Sequence, residues 1–233
     1  MYGKYSAVRG YEKSPLTQQY TRTYGGTLGG AIVKDKLFYF VSAEAKKESY
    51  PSSVYPGYTD SYITNDVAKQ IADQYQKLTG IQEGYGQPDI ENKSFGLLAR
   101  IDWNINQNHK LALRYQHNNS YDDNYGVDSK TYMFTNSGYR MNNKTNSIVA
   151  ELTSHLGQNL YNEFRASASF IRDHRDVAYQ GPTVQIKNVR GYDQKTNITV
   201  NIGTEYSSGA NYLDQDIYTF EDNLSWYLGN HTL

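Results

Sequence analysis

Five histidines, His109, His117, His155, His174 and His231, are the side chains best suited to bind a metal or move a proton near neutral pH. None stands in an HExxH arrangement, and they scatter over turns, strand ends and a loop, so structural or solvated roles are expected and no metal site. Asp122, Asp123 and Asp128, within YDDNYGVD, offer the hard oxygens that calcium takes. The EF-hand spacing and its closing Glu are missing, which leaves a solvated loop. Arg172, Asp173, His174, Arg175 and Asp176 form a charge run that reads as the solvated end of a strand. No GxSxG marks a nucleophilic serine and no catalytic constellation emerges, so neither an enzyme nor a cofactor is expected. The absence of Cys removes disulfides and thiolate ligands, and a net charge of −1 gives no basic footprint for nucleic acid.

The elements that hold these residues are strands. From Phe95 to Ile105 the odd positions read Phe, Leu, Ala, Ile, Trp, Ile and the even ones Gly, Leu, Arg, Asp, Asn, a period of two with one apolar face. After a turn at Asn106 to Asn108, Leu111, Leu113 and Tyr115 continue that face while Lys110, Ala112, Arg114 and Gln116 take the other. This is an antiparallel hairpin with one greasy side.

Only 38% of the 233 residues are hydrophobic and the mean hydropathy is −0.77, so a large conventional core is not expected. No run approaches the roughly 18 to 20 apolar residues of a spanning helix, but a membrane strand needs only about 9 to 11, half of them polar. Twenty-four Tyr against 7 Phe and 2 Trp suit an interface where the ring meets apolar material and the hydroxyl reaches water. The first residues lack the basic and apolar regions of a signal peptide, so any export signal is expected upstream.

Taken in order, residues 1–18 read as loop, and strands are expected at about 19–33, 37–50, 93–106, 109–117, 142–156, 160–177 and 212–228. Thr232 and Leu233 would begin an eighth. Phe38 and Phe40 make the second strand apolar on both faces at its start, which predicts that its inner side meets other protein. Between strands two and three, Val67, Ala68, Ile71, Ala72, Tyr75 and Leu78 recur at helical spacing over Asn65 to Thr79, with Thr64 or Asn65 to cap the start and Gly80 the end. Such a helix is expected to pack on the loop around it. The loop over about 178–211 holds two β-prone runs, Thr183 to Val189 and Ile198 to Ile202.

The turns at 34–36, 106–108, 157–159 and 229–231 are short, and every connection between them is long. A soluble sandwich has no reason for that asymmetry, whereas an outer-membrane barrel has short periplasmic turns and long extracellular loops. The all-β reading is therefore an antiparallel transmembrane β-barrel segment of about seven strands with one loop helix.

YGGTLGGAIVKDKLFYFVSAEA at Tyr24 to Ala45, SFGLLARIDWNINQNHKLALRYQH at Ser94 to His117, and TFEDNLSWYLGNHTL at Thr219 to Leu233 resemble the barrel of TonB-dependent outer-membrane receptors, closest to the Oar-like branch of Bacteroidetes. Ala31 stands where that family usually has proline. The resemblance implies a barrel of about 22 strands, an N-terminal plug, energisation through TonB, and uptake of a nutrient or peptide-like ligand across the bacterial outer membrane. Its implied partners are outer-membrane lipid, the plug, the remaining barrel strands and TonB. With no plug or TonB-contacting segment in the sequence, and Leu233 in place of the aromatic residue that ends such barrels, an internal fragment or truncated product is expected. The alternative is a surface adhesion or assembly protein, or a passive porin, on the same barrel.

Overall fold

The computed structural model describes residues 5–6, 14–15, 18–52, 55–57, 62–125, 130–229 and 231–232. The loop expected over 1–18 lies mostly outside the described residues, as do Asp128 and Leu233. In chain order the elements are β1 (Tyr5–Ser6), β2 (Ser14–Pro15), β3 (Tyr20–Val33), β4 (Leu37–Pro51), α1 (Asn65–Thr79), β5 (Asp89–Asn104), β6 (His109–Asn124) and β7 (Thr131–Met133), then β8 (Tyr139–His155), β9 (Leu160–Val177), β10 (Thr183–Arg190), β11 (Asn197–Gly203), β12 (Tyr212–Leu228) and β13 (His231–Thr232). Eight strands pair in the order β13-β12-β9-β8-β6-β5-β4-β3, each antiparallel to its neighbour.

The chain reverses tightly at one end of this sheet because the turn residues tolerate it. Asp35 sits in the left-handed region at φ 59°, and the Asn106 carboxamide oxygen accepts from the backbone N–H of Asn108 at 2.8 Å and of His109 at 3.0 Å. At the other end the strands run further than hydrophobic alternation indicates: β6 continues to Asn124 rather than His117, β5 begins at Asp89 and β8 at Tyr139. Alternation fades where a strand leaves hydrocarbon, since water then wets both faces, but backbone pairing persists. Asn92 still opposes Asp122, and Arg140 holds Asp123 at 2.7 Å. β3 breaks register at a bulge between Ala31 and Val33 that takes in Ile32.

Register sorts the two faces. One row runs Val41, Ala99, Tyr115, Ile148, Ala168, Tyr218, and its neighbour Tyr39, Ile101, Leu113, Ala150, Ala166, Phe220. The opposite face carries Phe40, Arg100, Arg114, Val149, Ser167, Thr219 and then Phe38, Asp102, Ala112, Glu151, Arg165, Glu221. The apolar belt does not follow these rows. On β5 it spans Phe95 to Trp103, whereas on β12 it starts at Tyr218, although the residue in register with Phe95 is Asp214. A drift of four residues or so, about 14 Å along the strand, accumulates over four strand spacings of about 4.8 Å, which corresponds to strands tilted by about 35 to 40° from the normal of the belt. That is the tilt of a membrane barrel wall.

The buried core lies elsewhere. The three long connections meet in a cap where β10, β11 and β7 form a small mixed sheet, β7 parallel to β11, with α1 against it. The Thr64 hydroxyl caps α1 by accepting from Val67 N–H at 3.3 Å, and Gly80 ends it at φ 76°.

Candidate functional site

On the polar face two arginines pair their charges across and along strands. Arg165 on β9 reaches Glu151 of β8 at 2.7 Å, Glu163 at 3.4 Å and Glu221 of β12 at 3.6 Å, so one guanidinium ties three strands. Arg100 forks onto Asp102 two residues on, at 2.7 to 3.0 Å. Between them a cavity of about 350 Å³ is lined by Arg100, Arg114, Val149, Glu151, Arg165 and Ser167. Beside this ladder the same face turns apolar, with Phe40, 38% exposed, opposite Arg100 and Phe38 opposite Asp102.

The cap draws one residue set from each long connection. Ile63, Ala68, Ala72 and Tyr75 come from the first, Tyr132 and Phe134 from the second, Ile198, Val200 and Ile202 from the third. Its seams are hydrogen-bonded: Phe134 N–H to Asn201 O at 3.0 Å, Tyr192 N–H to Tyr62 O at 2.9 Å, and the Ser137 hydroxyl to Gly203 O at 2.8 Å. Tyr75 donates to Pro182 O at 2.7 Å and meets the Tyr179 hydroxyl at 2.9 Å; Tyr179 in turn donates to Glu83 at 2.6 Å. Burial, followed by the hydrogen bonds to Glu83 and Tyr75, pushes the Tyr179 hydroxyl up, so it stays a neutral donor to Glu83, and burial likewise pushes the Tyr132 hydroxyl up. Gly203, at φ 95°, lies so close to Pro182 O that no Cβ fits. A groove of about 300 Å³ runs between α1 and β10, lined by Gln70, Ile71, Gln74, Leu78, Val184 and Ile186.

The residues singled out for chemistry do not converge. His109 Nδ1 lies 3.0 Å from the Ser154 hydroxyl, His117 Nδ1 2.8 Å from Asn146 Oδ1, His155 against the Tyr161 ring and His174 3.6 Å from Asp176. Asp122 and Asp123 point to opposite faces. So does the charge run: Arg172, His174 and Asp176 extend the apolar face, Asp173 and Arg175 the polar one, where the Arg175 guanidinium stacks over Tyr139 at 4.5 Å. The ladder's two faces are legible in the alternation but its cross-strand partners are not, and β7 left no hydrophobic pattern to find.

A tilted apolar belt over a charged inner wall, with short turns at one end and interlocked loops at the other, defines an outer-membrane β-barrel protein. Residues 49–233 match the family model described as outer membrane beta barrel domain, and the chain belongs to that family. It resides in the bacterial outer membrane, with its apolar face on membrane lipid. Its fold is similar to the crystal structure of the outer membrane transporter YddB from Escherichia coli, with a TM-score of 0.57 at 14% identity, over 94% of this chain and 25% of that one. The chain thus spans about a quarter of the length of the solved transporter it matches. A comparison with curated protein sequences gives no match.

Proposed function

We propose that this barrel wall belongs to a TonB-dependent receptor, of the Oar-like kind, that imports a nutrient or peptide-like ligand and is a transporter rather than an enzyme. The observation that carries the reading is the apolar patch on the inner wall. Phe38 and Phe40, with Leu98 beside them in register with Ser42, stand on a face that a water-filled pore would keep polar. An inserted plug covers such a patch and uses the neighbouring Arg114 and the Arg165 ladder as polar contacts. The fold likeness to a transporter about four times longer supports a wall of this type with room for a plug. The cap then supplies the outer recognition surface.

Planar-bilayer conductance of the complete protein carrying this chain tests the proposal. A plugged receptor is closed, with current only when the plug is removed. A steady open conductance of the intact protein makes it a passive porin. Loss of energised uptake in a strain lacking TonB separates import from surface adhesion, the second reading, which the exposed Leu78 and Tyr206 on the cap favour.

A further inference from the structure

The small sheet of the cap ends on an open edge. In the order β10-β11-β7, β10 has β11 on one side, and on the other its N–H and C=O groups take no backbone partner among the described residues. Val184, Ile186 and Val189 stand opposite Ile202, Val200 and Ile198 and share their face, the one that α1 covers. The three β11 residues are buried there, whereas Val184 is 39% exposed, because no described strand lies beyond it. α1 overhangs this edge. Ala68, Ala72 and Tyr75 are buried in the core, while Gln70, Gln74 and Leu78, each four residues from the next, line the groove of about 300 Å³ against Val184 and Ile186. Leu78 is 84% exposed, so the helix carries apolar surface past the last strand of the layer beneath it.

A strand edge selects its own kind of occupant. Its donors and acceptors repeat at the spacing of a ladder, and a second extended backbone matches them. A strand added about 4.8 Å outside β10 puts every second side chain under α1, against Leu78 and the two glutamine carboxamides. The pairable stretch is short. Register breaks between Ile186 and Val189, with Asn188 at φ 60°, which leaves Thr183–Ile186 as the straight part. Charge narrows the partner further. β10 carries Lys187 and Arg190 and no acid, Lys77 stands in the last turn of α1, and none of the three has an ion pair among the described residues. In mid-helix, Asp73 is held by Lys69 at 2.7 Å. A free amino terminus thus finds no carboxylate on β10, and a second copy of β10 would only add cations. An internal segment flanked by acidic residues is complementary.

We propose that the groove between α1 and the open edge of β10 binds an extended, internal segment of a partner protein at the cell surface by strand addition. The segment pairs with Thr183–Ile186. Its alternate apolar side chains lie between Leu78, Val184 and Ile186, and acidic residues flanking them meet Lys187, Arg190 or Lys77. Backbone pairing makes the site tolerant of sequence, while alternation and flanking charge set the choice. The inference rests on the geometry of the cap and not on transport, so it stands or falls separately from the TonB reading.

The test uses the complete protein in detergent and the fluorescence anisotropy of a labelled peptide that alternates valine and threonine between glutamates, with both ends blocked. The unmodified protein binds it, and amide exchange slows over residues 183–186. Two forms of the peptide, methylated at alternate backbone nitrogens in opposite phases, differ: one fails to bind and the other binds, because only one row of amides faces β10. Leu78→Ser, a change at an exposed position that leaves the core intact, weakens binding by about tenfold or more. Tyr206→Ser, at a similarly exposed ring on the cap, leaves it unchanged. Lys187→Glu with Arg190→Glu turns the preference toward a peptide flanked by lysines. No binding by the unmodified protein, equal binding of the two methylated forms, undiminished binding by Leu78→Ser, an equal loss in Tyr206→Ser, or an unchanged charge preference in the double variant would overturn the proposal.

Discussion

In the eight-stranded sheet no hydrophobic side chain is fully buried within the protein, whereas the cap holds all nine buried hydrophobic residues among those described. The contrast follows from solvent. Ile101, Leu113 and Phe220 find their apolar surroundings in lipid, so the sheet needs only correct alternation and a satisfied backbone. The cap faces water and must build its own core, and it does so by pooling a few residues from each of three loops. Composition that leaves no room for a large core is therefore compatible with a well-ordered chain.

The largest expected effect comes from the cap. Phe134 is fully buried, so Phe134→Ala costs about 3 to 5 kcal/mol through lost burial and a cavity. Surface proteolysis of intact cells should then cut the long loops, while the heat-modifiable mobility of the barrel stays. Loss of both together would show that cap and sheet fold as one unit and break the comparison.

Next is the sheet. Ala99→Arg puts a charge in hydrocarbon at about 2 to 4 kcal/mol near the midplane, while Ala112→Arg adds a cation to the charged inner wall between Asp102 and Glu151. The assembled fraction in outer membranes should fall for the first and hold for the second.

The smallest effect is a pH response confined to one cap turn. Asp193 accepts from the Thr196 hydroxyl at 2.7 Å and from the N–H groups of Thr196 and Lys195 at 2.8 and 2.9 Å, which holds its carboxyl below the usual range. A depressed carboxyl stabilises the turn above its ordinary pKa and loses that contribution as pH falls through the lowered value. Amide exchange over residues 191–196, corrected for its intrinsic rate, should accelerate on acidification in the unmodified protein and change less in Asp193→Asn.

How much of this the sequence discloses depends on the range of the signal. Alternation is local, so the β5–β6 hairpin and the sidedness of Arg100 and Leu97 are legible residue by residue. The helix is legible too, because its stripe and both caps lie within Thr64–Gly80. The strand extensions at 89–92 and 118–124 are not, since their order comes from pairing rather than from a hydrophobic face. The cap is least legible of all. Thr131 to Met133 pairs with a strand almost seventy residues later, and only the β-prone runs at 183–189 and 198–202 hinted that the loop was structured.

The central claim is that one face of the sheet meets lipid and the other does not. Cysteines introduced singly at 96–103, in a chain that has none of its own, can carry nitroxide labels in the complete protein reconstituted into vesicles. Oxygen accessibility should peak at 97, 99, 101 and 103, and accessibility to a water-soluble relaxation agent at 96, 98, 100 and 102, with the deepest label at 99. Alternation in the opposite phase, or uniform access to water at all eight positions, would contradict the account.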